Sequence, residues 1–129
     1  YTSKNAPLII SAPGYKKNVK TDGIAELIDI YPTLCELAGI DLPNHLEGKS
    51  VVPLMKNPKQ TGKKAAFTKW RNGVSVTTTQ FSYTQWDHKQ RMLFDLKKDP
   101  KENENIAENP DYKEKVKELS KLLNNRKIH

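Results

Sequence analysis

The segment from Ala65 to Leu96 constrains the fold more than any other. "AAFTKW", "GVSVTTTQFSYTQW" and "RMLFDL" are rich in Thr, Val, Phe, Tyr and Trp, whose branched or aromatic side chains suit a pleated, half-buried surface. Arg71-Asn72-Gly73 falls between the first two runs and is a hairpin signal, since Asn and Gly tolerate the backbone of a tight turn. "RMLFDL" supplies a third strand, and Asp99-Pro100 marks the turn after it. Further on, "DYKEKVKELSKLLNN" places Tyr112, Val116, Leu119, Leu122 and Leu123 at helical spacing behind Pro110 and an Asp111 N-cap. The second half is therefore expected to be a small antiparallel sheet with one amphipathic helix covering a face.

The first half has a different texture. "APLIIS" (Ala6 to Ser11) is a continuous apolar run stopped by Pro13 and Gly14, the pattern of a buried strand. From Ile24 the apolar residues recur at Leu27, Ile28, Tyr31, Leu34, Cys35 and Ala38, a helical stripe closed by Gly39. Pro32 lies inside that stripe, so the regular helix is expected to begin late, near Ile28 to Tyr31, with Pro32 in its first turn. Pro43, Pro53 and Pro58 then argue against any central strand in the connection that follows. The fold class is α+β, divided as 1–60 and 61–129.

A chain of 129 residues has room for one domain or part of one. It opens on Tyr1 rather than Met and enters a strand almost at once, as a cut from a longer protein does. The net charge of +7 draws anions such as sulfated glycan, nucleic acid or anionic lipid. The lysines are interleaved with Asp and Glu rather than packed in one block, which is the pattern of a solvated surface and not of a nucleic-acid groove. No apolar run is long enough to span a membrane. With one cysteine, Cys35, an internal disulfide and a cysteine-based zinc site are both excluded. His45, His88 and His129 have no second ligand at helical spacing, and Asp22, Asp29, Asp41, Asp87, Asp95 and Asp99 are dispersed, so no metal site is expected. Asp95 and Asp99 read as turn residues accepting backbone hydrogen bonds, and Asn105 as a cap on the link into the last helix.

Several collinear segments together resemble one family, the formylglycine-dependent sulfatases of the alkaline phosphatase superfamily. "ELIDIYPTLCELAGIDLP" and "LEGKSVVPLM" resemble its helix-and-proline signature and the segment after it. "RMLFDLKKDPKENENIA" is similar to its last strand and turn, "APLIISAPG" to the strand after the active-site lysine region, and "GVSVTTTQFSYTQW" to the strand pair of the iduronate-2-sulfatase-like branch. The resemblance implies the end of an α/β catalytic domain (1–60) followed by an antiparallel-sheet subdomain with a terminal helix (61–129).

What the family does enters by resemblance alone. A hydrated formylglycine, made from Cys or Ser in a Cys/Ser-x-Pro-x-Arg motif, attacks the sulfur of a sulfate ester while calcium and basic groups stabilise the transferred sulfate. The chain lacks that motif: Cys35 is followed by "ELAG" and reads as a core thiol. No catalytic residue and no cofactor is therefore expected here; calcium and formylglycine belong to the whole enzyme. The resemblance implies a sulfated glycan substrate such as a glycosaminoglycan, the N-terminal remainder of the sulfatase as partner, and a periplasmic or extracellular location. Substrate-side candidates are Asn5, where many members carry Arg or His, and Trp70, Arg71 and Trp86. The aromatic rings suit a sugar face and the guanidinium suits sulfate or carboxylate; otherwise the tryptophans anchor the sheet to the helix. Thr77 stands where the branch often has Arg. The alternatives are a related phosphodiesterase or phosphonate hydrolase, or a basic anion-binding module.

Overall fold

Four strands form one antiparallel sheet in the order β1-β2-β3-β4 in a computed structural model that describes residues 6–87 and 90–126. β1 (Ala66–Trp70) and β2 (Gly73–Thr77) are joined by Arg71-Asn72, as the "RNG" signal predicts, with Trp70 opposite Gly73. The run from Gly73 to Trp86, one strand by composition and a strand pair by the resemblance, divides into β2 and β3 (Phe81–Trp86). Thr78 makes the break: its backbone N–H donates to the Phe81 carbonyl, and its Oγ1 accepts from the Gln80 and Phe81 N–H groups. A threonine that satisfies backbone donors in this way ends a strand. β4 (Gln90–Asp95) closes the sheet.

Strand alternation sorts the two faces. Phe67, Val76, Tyr83 and Leu93 pair across all four strands in one row and belong to a single hydrophobic core with Val116, Leu119 and Leu123 of α3 (Lys113–Asn124). The helix thus covers one face, as its spacing predicts. Its cap differs from expectation. Asp111 does not cap it, and α3 has no side-chain cap; Asn109 instead caps the 3-10 turn Pro110–Tyr112 that leads into the helix, its side chain accepting from the Asp111 N–H at 3.0 Å. Asn105 is likewise not a helix cap. Its Oδ1 accepts from the Leu93 and Ala107 N–H groups, and its Nδ2 donates to the Arg91 carbonyl. One carboxamide therefore does for the β4 edge what a fifth strand would.

The turn before it depends on two carboxylates. Asp95 accepts from the Lys97 and Lys98 N–H groups, and Asp99 from those of Asn103 and Glu104. The Glu104 N–H, then the N–H and amide of Asn103, hold the Asp99 carboxyl below the ordinary carboxylate range against an opposing desolvation. A depressed folded value means a stabilisation present above the ordinary carboxylate pKa and lost as pH falls through the folded value. Carboxyl-carbon NMR is expected to give Asp99 a titration midpoint below that of aspartate in an unstructured peptide. An equal midpoint would contradict this arrangement.

Pro7–Lys64 forms a separate compact unit. A 3-10 turn, Leu27–Asp29, leads into α1 (Ile30–Ala38), so Pro32 lies in the first turn and Gly39 closes the helix. A short α2 (Val52–Lys56) carries Pro53 in its first turn. The strand expected over Ala6 to Ser11 does not form, and Ile9 is 91% exposed. Its backbone has no strand to pair with among the described residues of this unit, and unpaired strand backbone is not held in register. The α1 stripe also departs from expectation. Cys35 is buried with Pro32 and Thr33, but Leu27, Tyr31 and Leu34 face solvent.

Inside this unit two of the sulfatase-like segments, "ELIDIYPTLCELAGIDLP" and "LEGKSVVPLM", lock together. Asp29, fully buried, accepts through Oδ1 from the Lys49 N–H and through Oδ2 from the Glu26 N–H, both at 2.8 Å. Thr33, one turn later, accepts from the Val51 N–H at 2.9 Å and donates to the Asp29 carbonyl. Gly48 lies against the Ile28 carbonyl so closely that any Cβ would collide with it. Lys63 Nζ completes the junction, 2.6 Å from Asp29 and 2.5 Å from Glu26.

Candidate functional site

The two hairpin turns bring Trp70, Arg71 and Trp86 to one end of the sheet. Trp70, Gly73, Trp86 and Gln90 are opposite one another in a single transverse row, so their side chains share a face. Alternation puts that face opposite the one covered by α3. The tryptophans are therefore not anchors between sheet and helix.

Trp70 is 74% exposed, and the Arg71 guanidinium lies 5.9 Å from its ring centroid, within cation–π range. The turn requires Arg71 at φ +51°, a left-handed conformation that is uncommon for a non-glycine residue. Two strand spacings, about 10 Å, separate the backbones of Trp70 and Trp86. Trp86 is half-buried because its indole leans over Gly73: a Cβ on Gly73 would come within 2.5 Å of the indole Nε1. Asn72 Nδ2 donates to Asp87 Oδ2 at 3.2 Å, tying the first turn to the second.

Beyond Trp86 an open groove of about 430 Å³ is lined by Trp86, Gln90, Arg91, Met92, Asn105 and Glu108. Arg91 and Glu108 meet there in a two-pronged ion pair, at 2.7 and 3.1 Å. The pair raises the Arg91 pKa and lowers that of Glu108. Both groups are solvent-exposed, so the pair contributes little to stability, but it occupies the arginine nearest the groove. Arg71 is the guanidinium beside the exposed tryptophan. The arrangement is a flat apolar surface with a cation and an amide at its rim. It can stack a pyranose face and pair with a sulfate or carboxylate.

Asn5, the remaining substrate-side candidate, lies outside the described residues, as do His88 and His129. His45 is exposed. Among the described residues no three His, Cys, Asp or Glu side chains are grouped to hold a metal ion, and Cys35 is buried and lacks the Pro and Arg of the formylglycine motif. The described residues do not fit calcium, and the sequence carries no formylglycine motif. No helix among the described residues is long and apolar enough to cross a membrane.

Residues 1–129 match the family model described as N-sulphoglucosamine sulphohydrolase, C-terminal. The chain belongs to this sulfatase family. It is 33% identical to the Delta 4,5-hexuronate-2-O-sulfatase of Bacteroides thetaiotaomicron, in a match covering 92% of the chain and 27% of that enzyme. Among solved structures, one of a protein in complex with its substrate D-glucosamine-2-N,6-O-disulfate superposes with a TM-score of 0.66 at 27% identity, over 75% of the chain and 22% of the other. The phosphonate monoester hydrolase of Agrobacterium radiobacter gives 0.63 at 26% identity, over 75% and 23%. The chain thus spans about a quarter of the length of these relatives.

Two groups of this family member were not singled out from sequence. The buried Glu26–Asp29–Lys63 cluster was hidden because its lysine is far away in sequence; Asp29 and Thr33 at i, i+4 on one helix face were the available signal. Gly73 carried a second signal, since a glycine between two tryptophan-bearing strands leaves room for a ring.

Proposed function

We propose that the chain is the C-terminal part of a sulfatase that hydrolyses sulfate esters of a sulfated glycan, most specifically a glycosaminoglycan. The observation that carries this reading is the match of the whole chain to the sulphohydrolase C-terminal model. Residues 1–60 then complete the catalytic domain and residues 61–129 form the subdomain beside it. Calcium and formylglycine act in the remainder of the enzyme, which is the chain's partner, and the enzyme works in a periplasmic or extracellular setting. The relatives' sulfated sugars support the glycan, and the net charge of +7 raises the local concentration of a polyanion.

Within that enzyme Trp70, Arg71 and Trp86, with Asn5, contribute to the substrate side. They position the sugar and take no part in bond breaking. Trp70→Ala and Arg71→Ala in the full-length enzyme are each expected to raise KM for a sulfated disaccharide about tenfold, roughly the effect of one lost stacking or ion-pair contact. The kcat on a small aryl sulfate should stay unchanged. Unaltered KM for the disaccharide in both variants would remove these residues from the substrate side. The 129-residue chain alone is expected to turn over neither substrate.

A second reading, hydrolysis of a phosphonate monoester, is favoured by the similarity to the Agrobacterium radiobacter enzyme. Comparing kcat/KM of the full-length enzyme for an aryl sulfate and an aryl phosphonate monoester decides between them.

A further inference from the structure

The groove beyond Trp86 is built from groups that are held in place. It lies along β4, the edge strand of the sheet. Trp86, Gln90 and Met92 line it from the face opposite α3 and Arg91 from the α3 side, as strand alternation requires; Asn105 and Glu108 come from the segment after β4. The Trp86 indole rests over Gly73. The Asn105 carboxamide is tied to the Leu93 and Ala107 N–H groups and to the Arg91 carbonyl. Arg91 Nε and Nη2 donate to Glu108 Oε1 and Oε2 at 2.7 and 3.1 Å. A site whose polar groups are already fixed loses less freedom when it is filled, and about 430 Å³ falls within the roughly 300–1,000 Å³ of small-molecule sites.

The charges in the groove cancel. Glu108 neutralises the guanidinium of Arg91, the one cation among the described residues that line it, so a sulfate finds little attraction there. Hydrogen-bonding capacity remains. The fork occupies one edge of the guanidinium; its Nη1 donors lie on the other edge, and each Glu108 oxygen keeps a second lone pair. Fixed donors beside fixed acceptors match neighbouring hydroxyls of a sugar, because every hydroxyl both donates and accepts. The indole suits the apolar face of the same ring. We infer that the groove is a second sugar subsite, which takes an unsulfated pyranose ring of the glycan, stacked on Trp86 and held through its hydroxyls by Arg91 and Glu108. The subsite rests on the reading of Trp70, Arg71 and Trp86 as substrate-side residues. Trp86 shares its row with Trp70, so the subsite continues that surface towards β4, and the sulfated sugar stays at the Trp70 and Arg71 end.

Calorimetric titration of the full-length enzyme with an unsulfated tetrasaccharide of alternating hexuronate and N-acetylhexosamine tests the inference. Wild type is expected to bind it, and Arg91→Ala and Glu108→Ala each to bind it about tenfold more weakly, roughly the effect of losing one pair of charge-assisted hydrogen bonds. Lys121→Ala, exposed on α3, should leave the affinity in place. The exposed ion pair adds little stability, so the melting temperature of either variant should stay within a few degrees of wild type, which separates weakened binding from unfolding. Glu108→Ala decides between a hydroxyl site and an anion site. If Glu108 merely masks Arg91, its removal tightens binding of a sulfated tetrasaccharide, and that result overturns the inference. So does a wild type that fails to bind the unsulfated tetrasaccharide, or a pair of variants that bind it as wild type does. An enzyme that binds it through Arg91 and Glu108 but cleaves no sulfate ester removes the functional reading and leaves the sugar subsite standing. One that cleaves sulfate esters while both variants bind like wild type does the reverse.

Discussion

Asp29→Ala is expected to destabilise the Pro7–Lys64 unit by about 3–5 kcal/mol, the usual cost of removing one partner from a buried ion pair. Three losses coincide at this carboxylate. The Lys63 ammonium, 14% exposed, loses its partner at 2.6 Å and keeps only Glu26. The Lys49 and Glu26 N–H groups lose their acceptors, and an unsatisfied buried donor costs about 1–3 kcal/mol. The loop at Gly48 then loses its tether to α1. Urea denaturation followed by far-UV circular dichroism reads the change. Asp29→Asn is the discriminating variant: its amide oxygen still accepts one N–H but cannot neutralise Lys63, so it should fall between wild type and Asp29→Ala. A loss below about 1 kcal/mol for Asp29→Ala would mean that water replaces the carboxylate and that the junction is not closed.

How much of this was legible in the sequence depends on the range of the interaction. The sheet, its hairpin at Arg71-Asn72 and the helix over one face follow from local pattern, and so do the late start of α1 and its stop at Gly39. Readings that needed a partner distant in sequence went wrong. "APLIIS" has the composition of a buried strand and remains unpaired, and the α1 stripe has the period of a core helix and points outward. In both cases the pattern is that of a buried segment, and the described residues of the unit offer nothing to bury it. Caps failed for a smaller reason. Asn109, Asp111 and Asn105 are interchangeable by type as backbone acceptors, and only the path of the chain decides which donor each one meets. At the candidate site, sequence supplied Trp70, Arg71 and Trp86 as residue types. The row that the two tryptophans share across Gly73 required the register.

The two faces of the sheet are expected to respond oppositely to truncation. Leu93 has no accessible surface and stands in the row Phe67–Val76–Tyr83–Leu93 beneath α3. Leu93→Ala should cost about 2–5 kcal/mol from lost burial and the cavity left behind. Collapse around that cavity is limited, because the backbone at Leu93 is fixed on one side by β3 and on the other by Asn105 and the Ile106 N–H. Trp70 is in the same sheet and larger, but it is exposed on the opposite face, so Trp70→Ala should lie within about 0.5 kcal/mol of wild type. Thermal or urea unfolding of the two variants side by side tests the assignment of faces directly. If Trp70→Ala costs as much as Leu93→Ala, the tryptophan is an element of the core and its bulk serves folding. If only Leu93→Ala destabilises, an exposed indole beside an arginine is free to meet a sugar, and its effect should appear in KM instead of in stability.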